Sequence, residues 1–361
     1  LDCRNYGGPD GIPEIRRLFG AILGCSPEKV IIGGTSSLNM MFDFISQAVS
    51  SGLGGEPWAR QGEIKFICPS PGYDRHFAIC EYFGIKMIPV AMLGDGPDME
   101  EVERLVKDSS VKGMWCVPKY SNPQGITYSD AIVRRIAALK PAADDFRVIW
   151  DNAYSIHLVS ENDTLLDVLE ECKKAGNPSL VVEFASTSKI TFPGGGVACV
   201  AANRANRDLL RSRMKIQTIC NDKINQLRHA RMFPDFKSLQ AHMQRHAEIL
   251  TPKFRMVINI LEDKLEGLDI LNWCNPNGGY FISVDTLPGC AKRVVELCRE
   301  AGVVLTAAGA TYPYGKDPLD SNIRLAPSYP PVDELHQAML LFCVAVKLAT
   351  IEMQLKEDIH A

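Results

Sequence analysis

The sequence predicts an α/β fold: a mostly parallel central sheet covered by helices, followed by a smaller C-terminal α+β domain. Three observations lead there. Short, mostly apolar runs alternate with longer amphipathic stretches through the first two-thirds of the chain, a pattern of buried strands joined by covering helices. A single long stretch of helical spacing, residues 238–265, then separates that region from the rest. Beyond it the elements shorten and lose the regular alternation.

The strands expected are residues 29–32, 64–68, 86–90, 113–117, 147–150, 180–184 and 197–202, each a run of four to six mostly apolar residues. Between them, residues 38–49, 75–83, 99–106, 130–139 and 165–175 repeat apolar residues at the three-to-four spacing of a helix. A polar–apolar region comes after residue 202, broken at Phe233-Pro234 before the long helix. The C-terminal part reads as a strand at 280–284, a helix at 290–301, a short strand at 303–305 and a final helix at 332–355. These limits divide the chain into a large domain, 1–240, a connecting helix, 241–264, and a small domain, 265–361. A closed barrel of βα units would alternate in the same way, and the pattern alone does not choose between the two.

Composition narrows the function. At 361 residues, 46% hydrophobic and 23% charged, with net charge −4, the chain can bury a large core and has no basic excess to recruit nucleic acid. Its longest apolar stretch, 338–351, is interrupted by Lys347, is shorter than a bilayer requires, and reads as a buried helix. The 12 cysteines form no CxxC pair, as expected of reduced core thiols in a cytoplasmic protein. The start, Leu1-Asp2-Cys3-Arg4-Asn5-Tyr6, has neither an initiator Met nor a signal-peptide core, which suggests a segment upstream.

In an open parallel sheet, ligands bind beyond the carboxyl ends of the strands. The residues just after each expected strand are therefore informative. Gly33-Gly34-Thr35-Ser36-Ser37 leads straight into a helix and could bind an anion through free N–H groups, or be a plain N-cap. Pro71-Gly72-Tyr73 is a rigid turn presenting a ring, and Asn122-Pro123-Gln124-Gly125 is another turn. Asp151-Asn152-Ala153-Tyr154 puts an acid at the end of an apolar strand, as an N-cap or a functional carboxylate. Ser186-Thr187-Ser188-Lys189 is a hydroxyl-rich turn with a lysine, followed by Pro193-Gly194-Gly195-Gly196. Each has an ordinary reading alone; together, in this order and each at a strand end, they point to one site.

With Tyr6-x4-Gly11-x3-Ile15-Arg16 and Asn322-Ile323-Arg324, these segments resemble the class I aminotransferases among the fold-type-I pyridoxal-phosphate enzymes, over nearly the whole chain. The runs 305–315 and 324–331 are similar to a MocR-like, alanine–glyoxylate-labelled subgroup that includes the subgroup-Ic aspartate aminotransferases. The resemblance implies the pyridoxal-transferase fold with pyridoxal 5′-phosphate as cofactor. It implies ping-pong transfer between an amino acid, aspartate or a relative, and 2-oxoglutarate, and a homodimer with shared sites. By the same resemblance Lys189 would bond the cofactor aldehyde as an imine and later move a proton. Asp151 would pair with the ring nitrogen, and Asn122 and Tyr154 with the ring's phenolic oxygen. Tyr73 would stack on the ring; Gly34, Thr35, Ser36, Ser186 and Ser188 would hold the phosphate, with Tyr6 reaching a neighbour's phosphate. Arg324, beside Asn122, would bind the substrate α-carboxylate, a task suited to its planar fork.

The resemblance departs at one point. The family pattern Pro-Gly-x-Arg becomes Pro193-Gly194-Gly195-Gly196, without its phosphate-binding arginine, for which Lys223 and Arg228 are candidate substitutes. A side-chain carboxylate would need another cation, with Lys119, Arg75 and Lys316 as candidates. A lyase or decarboxylase on the same cofactor, and the ligand-sensing domain of a MocR-type regulator, are the alternatives in function, although no helix-turn-helix unit is visible.

Overall fold

The structure, a computed structural model, describes residues 3–360, with side chains through residue 356. The start of the chain, on which the expectation of an upstream segment rests, lies partly outside the described residues. Eight strands form the first sheet: β1 (Val30–Ile32), β2 (Lys65–Ser70), β3 (Lys86–Leu93), β4 (Gly96–Pro97), β5 (Val111–Cys116), β6 (Arg147–Asp151), β7 (Val181–Ser186) and β8 (Ala198–Ala201). Their order is β1-β8-β7-β6-β5-β2-β3-β4. The strands from β7 through β6, β5 and β2 to β3 pair in parallel; β8 runs antiparallel between β7 and β1, and β4 antiparallel beside β3. Since β1 and β4 end the sheet without pairing to each other, it is open and not a barrel.

Both faces are covered. The period-two alternation of side chains along each strand sends Val30, Ile32, Val148 and Trp150 into one core and Ile31 and Ile149 into the other. The first core is closed by α1 (Pro13–Leu23), α4 (Met99–Leu105), α5 (Asp130–Ala137) and α6 (Val168–Lys174). On the opposite face lie α2 (Ser37–Ser51), α3 (Asp74–Tyr82) and α7 (Arg204–Gln217). Helix starts follow the side-chain chemistry: Asp98, Ser129, Asp167 and Asn203 each accept a hydrogen bond from a first-turn N–H. The cap at Asp167 starts α6 later than the apolar spacing implies. The polar region after residue 202 resolves into α7 and α8 (Lys223–Met232).

Helix α9 (Phe236–Leu265) begins with a capping box between Asp235 and Ser238. It carries Leu239 and Met243 in the first core and Leu250 through Leu265 in a third. That third core joins a three-stranded antiparallel sheet, β9 (Leu271–Trp273), β10 (Ile282–Thr286) and β11 (Asn322–Leu325), to α10 (Ala291–Glu300) and α11 (Val332–His360). The strand expected at 303–305 does not form. Gly302 turns the chain at φ +87°, the Val303 N–H is spent closing α10 on the Cys298 carbonyl, and Val304 is 84% exposed. The apolar stretch 338–351 is not confined to the length read from the sequence: it lies within the 29 residues of α11, enough by length to span a bilayer. One stripe of it, Leu335, Met339, Phe342, Val346 and Ala349, packs in the third core, whereas Leu341, Val344, Leu348 and Ile351 are exposed, so the helix is buried on one face only.

One carboxyl sits in the large sheet itself. Glu183 on β7 is 3% exposed, accepts a hydrogen bond from Asn152 Nδ2 at 2.9 Å, and is pushed up to about 8 by burial. A carboxyl raised this way stabilises the fold when neutral; that contribution is full below its unfolded value of about 4 and is lost as pH rises through about 8. Glu183→Gln should therefore melt at a higher temperature than wild type at pH 9 and near the wild-type temperature at pH 5. Parallel melting curves at both pH values would refute this.

Candidate active site

The carboxyl ends of β2, β5, β6 and β7 lie along one edge of the sheet, and the turns leaving them carry the expected residues. β6 ends on Asp151, 3% exposed. His76 of α3 faces it, with Nε2 3.0 Å from Asp151 Oδ2; a carboxylate only accepts, so the ring donates. His76 is fixed in turn by stacking on Trp115, 4.3 Å between centroids at 9°, and Tyr73 meets its edge at 4.9 Å. The other oxygen, Asp151 Oδ1, is buried with no hydrogen-bond partner among the described residues. A buried acceptor left unpaired is costly, so this atom marks a place for a donor, best a cationic N–H.

Lys189 lies in the turn after β7, its Nζ 4.7 Å from the centre of the buried Tyr154 ring. Burial raises the Tyr154 hydroxyl far above its usual range, and raises that of Tyr73, with Lys189 acting to lower the latter. The turn is held from two sides. The Tyr280 hydroxyl and His157 Nε2 donate to the Lys189 carbonyl at 2.8 and 3.2 Å, and burial depresses His157 to about 3, leaving it neutral. From α8, His229 Nε2 meets the hydroxyls of Thr187 and Thr191 at 3.1 and 2.9 Å, and Asn225 Nδ2 donates to the Gly196 carbonyl at 2.8 Å. Little freedom is left except along the lysine side chain.

Between β1 and α2 the turn of Gly34 and Thr35 is exposed, and a Cβ on Gly34 would meet nothing within 4 Å. Ser36 caps α2 by accepting the Leu38 N–H at 3.2 Å. Ser186 donates to Ser188, and Ser188 donates to the Thr35 carbonyl, which joins the two turns into one hydroxyl-lined rim at a helix N-terminus. Such a rim suits an anion. Gly196, standing where the family pattern has arginine, is packed: a Cβ there would lie 3.0 Å from Thr187 Oγ1, 3.1 Å from the Thr35 carbonyl and 3.2 Å from the Ser188 nitrogen. Gly196→Ala should thus cost about 1–3 kcal/mol by overpacking and loosen the rim. Titration with pyridoxal 5′-phosphate should show weaker binding than wild type, and equal binding would refute the rim's role.

Arg324, on β11 of the second sheet, completes the cleft. Its Nη1 donates to Asp74 Oδ1 at 3.0 Å and to Asn122 Oδ1 at 3.1 Å, its Nη2 makes a long 3.5 Å contact with Thr306, and the guanidinium lies 4.8 Å over Phe281. The second unit also reaches the first where the Thr311 carbonyl accepts the Gly72 N–H at 2.7 Å and the Tyr314 hydroxyl accepts the Met87 N–H at 2.8 Å.

The remaining candidates fall elsewhere. Tyr6 is 67% exposed, with little of its ring packed against the rest of the chain. Lys119 is buried and committed to the Ser155 carbonyl and Asn162; burial lowers its ammonium. Arg75 and Lys316 are exposed. Lys223 donates to the Asn5 carbonyl and lays its stem on Gly7, and Arg228 is on the exposed side of α8. Sequence reasoning missed His76, Asp74, Tyr280 and His229. The first two sit in the opening turns of α3 just after Tyr73, a signal available in the sequence; Tyr280 and His229 had none.

These residues fit pyridoxal 5′-phosphate: an amine to bond its aldehyde, an orphan carboxylate oxygen for a protonated ring nitrogen, and a hydroxyl rim for its phosphate. Residues 1–358 match the family model described as aspartate amino-transferase. The aspartate aminotransferase of Corynebacterium glutamicum is 48% identical over 354 residues, 97% of this chain and 82% of that protein. The crystal structure of an aspartate transaminase from the same organism superposes with TM-score 0.96 at 47% identity, covering 98% of this chain and 84% of that one. An α-aminoadipate aminotransferase from Thermus thermophilus shares the fold, with TM-score 0.79 at 18% identity over 96% of this chain and 84% of that one.

Proposed function

The chain belongs to the aspartate amino-transferase family, and on that premise we propose that it transfers the amino group of aspartate to 2-oxoglutarate with pyridoxal 5′-phosphate, as a cytoplasmic homodimer. The observation that carries the reading is the convergence of Lys189, the unpaired Asp151 oxygen and Arg324 on one cleft from three separate elements. When bound, the cofactor supplies an electron-poor ring able to take up the electron pair left at the substrate Cα.

The protein's own residues do the rest. Asp151 holds a proton on the ring nitrogen, and His76 keeps that carboxylate aimed. Lys189 would anchor the cofactor and, once freed by the incoming amine, would remove the proton at Cα of the amino donor and, with the oxo acid bound, deliver one to Cα of the acceptor, as general base and then general acid. Tyr154 and Asn122 orient the ring's phenolic oxygen, and Tyr73 covers one ring face. Gly34, Thr35, Ser36, Ser186 and Ser188 bind the phosphate, and Arg324 takes the substrate α-carboxylate. Tyr6, exposed on its own subunit, serves the neighbouring site. On this reading the large part, 1–240, binds the cofactor, and the small part, 265–361, closes on the substrate from the connecting helix, 241–264.

The test is turnover of L-aspartate with 2-oxoglutarate and added pyridoxal 5′-phosphate, following oxaloacetate and glutamate. Equal amounts of both products, and none from multiple turnovers when the oxo acid is omitted, are expected. Continued product formation without an oxo acid would replace the reading with a lyase, and no reaction of aspartate would remove that donor. Sedimentation at micromolar concentration should show the dimer mass.

A further inference from the structure

Arg324 is already occupied by a carboxylate of its own chain. Nη1 has two hydrogens, and both are used, one by Asp74 and one by Asn122. Nη2 has only the long contact with Thr306, and Nε is buried without a partner among the described residues. A substrate carboxylate docking end-on must therefore share Nη1 with Asp74 or displace it.

An acid in the first turn of α3 has an ordinary use, complementing the helix dipole. That use explains the charge but not its aim at an arginine 250 residues away on another sheet. Nor is Asp74 needed to hold the guanidinium, since Asn122, Thr306 and the Phe281 face fix it independently. Asp74 is also the more yielding partner, with 31% of its side chain exposed against 11% for Arg324. It can swing into solvent when another carboxylate arrives.

Resting on the assignment of Arg324 as receptor for the α-carboxylate, we propose that Asp74 is an internal carboxylate that occupies Arg324 between turnovers and competes with the substrate, thereby setting the affinity for amino and oxo acids alike. The two carboxylates repel across one guanidinium, and for a partly exposed pair this weakens binding by about fivefold. The α-carboxylate is present in both the ground and transition states, so the effect falls on KM and leaves kcat unchanged.

The experiment is calorimetric titration of the holoenzyme with maleate, a dicarboxylate that cannot react, using wild type, Asp74→Asn, Asp74→Glu, Arg324→Gln and the Asp74→Asn/Arg324→Gln double variant, with KM and kcat measured alongside. Asp74→Asn, isosteric but uncharged, should bind maleate about fivefold more tightly, lower KM for both substrates and leave kcat within about twofold. Asp74→Glu should return most of the wild-type affinity, and the gain should vanish in the Arg324→Gln background. If Arg324→Gln binds maleate as tightly as wild type, Arg324 is not the receptor, and that assignment and this proposal fall together. If Arg324→Gln weakens binding while Asp74→Asn leaves it unchanged or weakens it, the receptor stands and the competition is overturned.

Discussion

Replacing Lys189 with alanine is expected to lower kcat by at least about 10⁴-fold, the upper range for loss of a positioned acid–base group. The turn carrying it should stay in place. Its anchors are the Lys189 main-chain carbonyl and the side chains of Thr187, Thr191, Asn225 and His229, none of which the substitution touches. The melting temperature should accordingly move by only a few degrees, since a half-buried side chain outside the hydrophobic cores is lost. The absorption band of lysine-bound cofactor should be missing. The vacated space beside Tyr154 should admit a small amine, and added methylamine should restore part of the rate. A variant that retains a tenth of wild-type turnover would show that another group moves the proton.

Asp151→Asn should cost about 10²–10³-fold in kcat/KM, the scale of one preorganised electrostatic partner. Asparagine has the same shape and can still accept from His76, so the His76–Trp115 stack and the turn after β2 should survive. The substitution removes the charge opposite the ring nitrogen. Because the lost interaction strengthens as charge develops, kcat should fall more than KM rises. Cofactor should still bind through the hydroxyl rim, though more weakly. Retention of activity within about threefold would mean that Asp151 Oδ1 does not face the ring, and its unpaired state would need another account.

Much of this architecture was legible in the sequence because burial leaves a local trace. The central strands β5, β6 and β7 are buried throughout and appear as mostly apolar runs, and the helices show their periodicity and their caps. Expectation failed where backbone hydrogen bonding overrode apolar content, at 303–305, where a glycine turn and the closure of α10 used the groups a strand would need. For α11, the apolar content was read correctly, but a helix exposed on one side cannot be told from a buried one when both faces are apolar.

The residues at the strand ends were equally legible, since Lys189, Asp151, Asn122, Tyr73 and Gly34 each come within a few positions of a strand's end, and their order places them along one sheet edge. Only the tertiary structure decided which group meets which. The order of strands, with β8 inserted against the others between β1 and β7, settled an open sheet over a barrel. The pairing of His76 with Asp151 spans 75 residues, and that of Arg324 with Asp74 spans 250. Periodicity records that a face is buried, not what covers it. The entropic cost of closing a loop grows only slowly with its length, so distance along the chain carries almost no information about which polar groups will meet.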